Sequence, residues 1–258
     1  MYNDLFTLGK ITIHGYGFMI AIGFFVAIGI SLYRLKKANM DQEIALDVSL
    51  IAMFSGFLGA KILFVIVEFK SFLANPLSVL GSAGFVVYGG IILAVACIIL
   101  YCKKKGIGFF VLGDLVLPQV SIAQAIGRIG CFLAGCCYGA ETTSPLGVVF
   151  PAGSIAPAGV KLWPTQLFCT VGDLIIAGLL YLLTYVVKTK FADKCKPGII
   201  TAGYCILYGA GRFGLEFFRA DSRGAVGFLS TSQFISIFIV IMGIVLTVLS
   251  LRKAKEEK

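Results

Sequence analysis

Apolar residues in this chain come in runs of about twenty, separated by short polar stretches. That is the length a helix rising about 1.5 Å per residue needs to cross the hydrocarbon core of a bilayer. The runs are centred on 11–33, 44–68, 84–102, 111–134, 168–187, 199–217 and 228–251. They predict an all-α integral membrane protein of seven transmembrane helices. Glycine and serine within the runs, as in SGFLGA at 55–60, read as packing residues that let helix backbones approach. Little sequence lies outside the runs and their connections, so residues 1–258 read as one polytopic membrane domain. The first run starts near Ile11 without the basic n-region and cleavage site of a signal peptide, and is expected to remain as a helix.

Lysine and arginine fix the orientation, because they are enriched in cytoplasmic loops. Arg34, Lys36 and Lys37 follow the first run, and Lys103, Lys104 and Lys105 the third. Lys188, Lys190, Lys194 and Lys196 follow the fifth, and Arg252, Lys253, Lys255 and Lys258 the seventh. Segments 69–83, 135–167 and 218–227 carry few basic residues, which puts them and the N-terminus outside and the C-terminus in the cytoplasm. The 135–167 connection, rich in Gly, Pro and Ala, is the longest. Its length and outer position make it the candidate gate or substrate-facing lid.

Composition agrees with this reading. Of 258 residues, 59% are hydrophobic and 14% charged, and the mean hydropathy is +0.96, which excludes a water-soluble domain. The net charge of +9 gathers in the cytoplasmic connections, where it suits anionic membrane lipids rather than nucleic acid. There is no internal repeat of the kind transporters more typically show. There is no glycine-rich nucleotide loop either, and the sequence calls for no cofactor.

Charges inside the spans carry the chemistry, since each costs at least about 2.5–3.5 kcal/mol at mid-bilayer unless it faces a partner or a wet cavity. Arg128 lies late in the fourth span, Arg212 and Glu216 late in the sixth, and Lys61 and Glu68 late in the second. All three spans run outward, so these sites fall in the outer half of the membrane. Tyr208, Arg212 and Glu216 are spaced i,i+4 and form one polar stripe. Arg212 and Glu216 alone would suit a pair that fixes helix packing. Two arginines against one carboxylate, however, leave positive charge unmatched, and arginine grips phosphate through two parallel hydrogen bonds. A phospholipid headgroup is the expected partner.

At these residues the chain resembles the prolipoprotein diacylglyceryl transferase family of the bacterial inner (plasma) membrane. The matching pieces are HGYGFMIAIGF at 14–24, SGFLGAKILFVI at 55–66, YGGIILAV at 88–95, GRIGCFLAGCCYG at 127–139, WPTQLF at 163–168 and YGAGRFGLEFFR at 208–219. They fall in the family's order and cover most of the chain. The resemblance implies transfer of a diacylglyceryl group from phosphatidylglycerol to the lipobox cysteine of a preprolipoprotein, with release of glycerol phosphate. By position it implies Arg128 and Arg212 as phosphate-binding arginines, Tyr16 near the headgroup, and Tyr208 and Glu216 orienting Arg212. Gly139 would close the signature, and Lys61 stands where the family often has arginine. Tyr88 replaces the histidine expected to activate the thiol, Cys131 a customary asparagine, and Cys136 and Cys169 customary glutamates. Arg128, Arg212, Glu216 and Tyr88 are therefore the catalytic candidates, with Tyr16, Tyr208, Lys61, Gly139 and Cys131 on the substrate. The altered positions keep open another acceptor, or lipid binding without cleavage.

Eight cysteines are present. Cys97, Cys102, Cys195 and Cys205 read as small apolar residues. Cys131, Cys136, Cys137 and Cys169 fall toward the outer side, where packing, a disulfide of Cys136 or Cys137 with Cys169, a reactive thiol or a metal are all open. The C-x4-C-C spacing lacks the paired C-x2-C of common zinc sites, so no metal is expected. His14, the single histidine, is either an interfacial side chain or a replacement base.

Overall fold

The computed structural model describes residues 4–8, 11–82, 84–191, 195–220 and 224–256. Lys194 and Lys258 of the basic clusters lie outside the described residues. In chain order the elements are β1 (Asp4–Leu8), β2 (Ile11–His14), α1 (Gly15–Lys37), α2 (Glu43–Val67), α3 (Phe69–Ala74), α4 (Pro76–Gly81), α5 (Val87–Lys105) and α6 (Phe109–Ala134). There follow β3 (Val148–Val149), β4 (Lys161–Leu162), α7 (Thr165–Lys190), α8 (Ile199–Leu215), β5 (Ala225–Val226), β6 (Leu229–Ser230) and α9 (Thr231–Glu256). A 3-10 turn, Glu216–Phe218, extends α8.

Every predicted run contains a helix. Among the described residues, six helices are long and apolar enough to cross a membrane: α1, α2, α5, α6, α7 and the Thr231–Leu251 part of α9. The chain is a multi-pass membrane protein. The remaining run forms α8, of 17 residues.

The connections depart from the all-α expectation. Ile11–His14 is a strand, not the start of the first helix, and pairs antiparallel with β1, Thr7 opposite Thr12. The β-branched Ile11, Thr12 and Ile13 favour that extended backbone. The 69–83 connection holds α3 and α4, where Asn75 accepts from the Ser78 N–H at 3.2 Å and Pro76 takes the first helical position, both helix-start features. The 135–167 connection has its own core of Phe150, Ala156 and Leu162, with Phe132, Tyr138 and Val160 packed against it.

The chain divides into two compact units, residues 31–112 and residues 1–30 with 113–258. In the smaller unit α2 packs along α5 through glycines. A Cβ on Gly90 would lie 2.5 Å from the Gly56 carbonyl, and Cβ atoms on Gly59 or Gly89 would collide with each other's backbone. The small residues of SGFLGA and YGGI thus let two backbones touch. Lys61 donates to the Ser82 carbonyl at 2.7 Å and the Gly84 carbonyl at 3.3 Å, with its ammonium over the Phe85 and Phe64 rings at 4.9 Å and 5.1 Å.

In the larger unit α8 packs between α7 and α9. Asp114 of α6 caps the start of α8, accepting from the Gly198 N–H, the Thr201 N–H and the Thr201 hydroxyl, each at 2.7 Å. A carboxylate satisfies the open N–H groups and opposes the helix dipole there. Gln124 accepts from the Tyr204 hydroxyl at 2.9 Å, and Ser121 donates to the Asp173 carbonyl at 2.8 Å. Polar pairs thereby tie α6 to α7 and α8.

Filling the α2–α5 seam tests its role. Gly89→Leu has no room for its side chain and is expected to lower stability by about 1–3 kcal/mol or more, the cost of overpacking. Gly29→Leu, at a glycine whose Cβ would meet nothing within 4 Å, serves as the control in thermal unfolding of the detergent-solubilised protein.

Candidate active site

One cavity of about 70 Å³ opens between α6, α7 and α8. Arg128, Asp173, Tyr208, Arg212 and Cys169 line its polar part, and Phe168, Ile176 and Leu215 its apolar part. The polar stripe forms as predicted. The Arg212 guanidinium meets the Glu216 carboxylate at 2.5 Å, although Glu216 already sits in the 3-10 turn, and a second nitrogen donates to the Ser232 hydroxyl at 2.8 Å. Tyr208 stacks on Tyr204 with ring centroids 5.5 Å apart.

Asp173 changes the charge count. The sequence set two arginines against one carboxylate, but a second carboxylate, only 6% exposed, lines the same cavity within electrostatic reach of Arg128. The signal was visible as an aspartate interrupting an apolar span. It carried no neighbouring charge at helical spacing and so escaped notice. Asp114 escaped for the same reason.

The end of α6 builds the second half of the site. Gly135 takes a left-handed φ of 68°, the Gly135 N–H donates to the Phe132 carbonyl at 3.2 Å and the Cys136 N–H to the Cys131 carbonyl at 3.1 Å. This paired pattern is the Schellman helix stop, which brings the side chains at its two ends together. Here those ends are Cys131 and Cys136. Cys137 adopts a φ of 62°, and the sulfurs of Cys131, Cys136 and Cys137 all lie within 4.8 Å of one another. Hydrogen bonds from Cys131 and Cys136 and the Arg219 guanidinium hold the Cys137 thiol well below the ordinary thiol range.

The start of α7 clamps this turn. Thr165 donates to the Cys137 carbonyl at 2.7 Å, and the Gln166 amide donates to the Cys136 carbonyl at 2.6 Å. Both side chains are buried, and the Gln166 Oε1 has no donor among the described residues. Gly139 is squeezed flat. Its N–H donates to the Trp163 carbonyl at 2.9 Å, and a Cβ there would lie 2.5 Å from the Phe218 carbonyl and 2.6 Å from the Trp163 Cβ.

A family model described as prolipoprotein diacylglyceryl transferase matches residues 3–249. The chain belongs to the prolipoprotein diacylglyceryl transferase family. The phosphatidylglycerol–prolipoprotein diacylglyceryl transferase of Clostridium tetani (strain Massachusetts / E88) is 43% identical over 242 residues, 93% of this chain and 94% of its own. Clostridium perfringens (strain 13 / Type A) has relatives numbered 1 and 2. Number 2 is 44% identical over 247 residues, 95% of this chain and 94% of its own. Number 1 is 28% identical over 257 residues, 98% of this chain and 96% of its own.

Within this diacylglyceryl transferase fold, the expected residues separate. Arg128, Arg212 and Tyr208 share the cavity, and Glu216 braces Arg212. Tyr16, half-exposed on α1, lies within electrostatic reach of Arg128 and the three clustered cysteines. It gets there because Gly130 carries no side chain: a Cβ would lie 3.0 Å from the Tyr16 carbonyl. Gly139 lies at the backbone clamp. Lys61 is held by Ser82, Gly84 and Phe85 and Tyr88 is half-buried near the start of α5, both in the smaller unit. Glu68 is no partner of Lys61. It caps α2 and accepts from the Ser71 hydroxyl at 3.0 Å. His14 ends β2, exposed. None of the eight cysteines forms a disulfide, and Cys169 stands in the cavity wall.

The buried ion pair makes a sharp prediction. Arg212 and Glu216 side chains are only 10% and 8% exposed, so Glu216→Ala strands a guanidinium and is expected to cost about 3–5 kcal/mol. The double change Arg212→Met with Glu216→Leu should recover most of that loss in denaturant unfolding. A Glu216→Ala variant as stable as the parent would show that the pair is not what fixes Arg212.

Proposed function

We propose that the protein transfers the diacylglyceryl group of phosphatidylglycerol to the lipobox cysteine thiol of preprolipoproteins. The observation that carries this reading is the pairing of Arg128 and Arg212 in one cavity with Tyr208. The names of the relatives point the same way, since they specify the lipid and the protein substrate. In our reading α8 is a seventh span, the two units act as one membrane domain, and the N-terminus and the cavity face the outer side of the bacterial plasma membrane. The ordered 135–167 connection then borders the site on the side from which the acceptor arrives.

The acceptor thiolate attacks the glyceryl carbon that carries the phosphate. A carbon–sulfur bond forms, the carbon–oxygen bond breaks, and its electron pair leaves on the phosphate oxygen. The phosphate thus gains negative charge as the diester becomes a monoester. Arg128 and Arg212 are stronger partners for that growing charge than for the starting diester, and such differential binding accelerates the step. Shielding from water strengthens them further. Glu216 and Ser232 fix one fork in place before substrate arrives, while Asp173 faces Arg128 until the headgroup takes its place beside it. Trp163, Phe168 and Phe218, with ring centroids 5.8–6.3 Å apart, stiffen the backbone around Gly139. Tyr88 and Cys131 occupy the positions of customary polar residues, so the base is a separate question.

Purified protein with phosphatidylglycerol and a lipobox peptide should release glycerol phosphate and add the diacylglyceryl mass to the peptide cysteine. Arg128→Lys and Arg212→Lys keep the charge but lose the fork, and each should reduce turnover by about 10²–10³-fold, as loss of a charge-stabilising donor does. Parent-like turnover in both would refute the phosphate role. Headgroup release without peptide modification would assign a different acceptor.

A further inference from the structure

The transfer reading leaves one cluster unused. Three sulfurs converge at the end of α6, and their approach is built into the backbone: the helix stop at Gly135 joins Cys131 to Cys136, and the left-handed turn at Cys137 keeps the third sulfur within 4.8 Å of both. Three thiols cannot all be consumed by disulfides, whereas one thiophilic cation uses all three. Tetrahedral zinc at about 2.3 Å from each sulfur needs sulfurs about 3.8 Å apart, a side-chain adjustment of about an ångström from the spacing seen. Among the described residues no fourth Cys, His, Asp or Glu joins the group. Structural zinc sites are closed by four protein ligands, and three ligands with an open position mark a site that takes a substrate or water.

We propose that Cys131, Cys136 and Cys137 bind one zinc-class divalent cation, and that its open position takes the thiol of the acceptor cysteine. The second half rests on the transfer reading above. Soft thiolate ligands favour such an ion. Three thiolates around it carry a net charge of about −1, which the Arg219 guanidinium beside Cys137 offsets. Position supports the role. Cys131 follows Arg128 by three residues on one helix, about 4.5 Å along the axis and on neighbouring faces, so a thiol held at the cluster borders a phosphate held by Arg128. Gln166 adds a buried acceptor without a donor next to Cys136, suited to a backbone N–H of the bound peptide.

The step balances without a histidine. The acceptor thiol binds the cation as thiolate and its proton passes to solvent. The sulfur then forms its bond to the glyceryl carbon while the carbon–oxygen bond breaks and glycerol phosphate leaves with the electron pair. The product is a thioether, a neutral and weaker ligand than thiolate, and it yields the open position to the next acceptor. The cation is neither oxidised nor reduced.

The test uses the full-length protein purified in detergent from zinc-supplemented cells. Elemental analysis is expected to find about one zinc per chain, kept in Cys97→Ser and lost in Cys131→Ser and Cys137→Ser. Wild-type protein stripped with a chelator and refilled keeps the test valid if those variants do not fold. Stripping should lower transfer at least about tenfold and zinc should restore it. With cobalt in place of zinc, thiolate-to-metal absorption should change on adding a lipobox peptide without lipid, and stay unchanged with the Cys→Ser peptide. Folded, supplemented protein without metal overturns the site, as does a mass two hydrogen atoms lighter, which would report a disulfide. Full transfer by metal-free protein overturns the thiol-binding role and leaves the transfer reading standing. Bound zinc that responds to the peptide without cleavage of phosphatidylglycerol would leave the site standing and refute the transfer reading.

Discussion

An arginine in a span with no water must find its counter-charge inside the protein, and much of the larger unit follows from that requirement. Arg212 meets it with Glu216 one turn away and Ser232 on α9, so α8 and α9 are bound by a charged contact as well as by packing. Arg128 meets it across the cavity, where Asp173 of α7 supplies the negative charge. The two solutions differ in a way that suits function. The Arg212 pair is tight and braced, while Arg128 faces open space that an anionic headgroup can share.

Close backbone approach is the second constraint, and glycine provides it at the points where the site is assembled. Gly130 lets Tyr16 lie against α6, and Gly139 lets three stretches of chain meet edge to edge. Thr165 and Gln166 then fasten the cysteine turn to the start of α7. The WPTQLF stretch holds a backbone in place here, and its hydroxyl and amide act on carbonyls. Gly59, Gly89 and Gly90 do the corresponding work in the smaller unit, where Lys61 is occupied by backbone carbonyls and two aromatic rings.

Six of the seven predicted spans, the stripe Tyr208–Arg212–Glu216 and the membership of the family were legible because each rests on a strong local signal: apolar length, i,i+4 spacing, or an ordered set of motifs. Two kinds of feature were not. Ile11–His14 and the two helices of 69–83 are only four to six residues each, too short for periodicity to separate from the neighbouring runs. Asp173 and Asp114 depend on which helices face each other, which spacing along one chain does not encode, and the cysteine cluster depends on the turn that ends α6. The cluster still had a local trace. Gly135 as a helix stop, with cysteines four before and one and two after it, places the first two thiols together by capping geometry alone, whereas a search for C-x2-C pairs passes over it.

The central claim is that Arg128 and Arg212 recognise the phosphate of an anionic lipid. Native mass spectrometry of the detergent-solubilised protein offered equal amounts of phosphatidylglycerol and diacylglycerol, which lacks the phosphate, tests it without relying on turnover. The account predicts retention of phosphatidylglycerol by the parent protein, and loss of that preference in Arg128→Gln. Equal retention of the two lipids by the parent, or an unchanged preference in the variant, would contradict it.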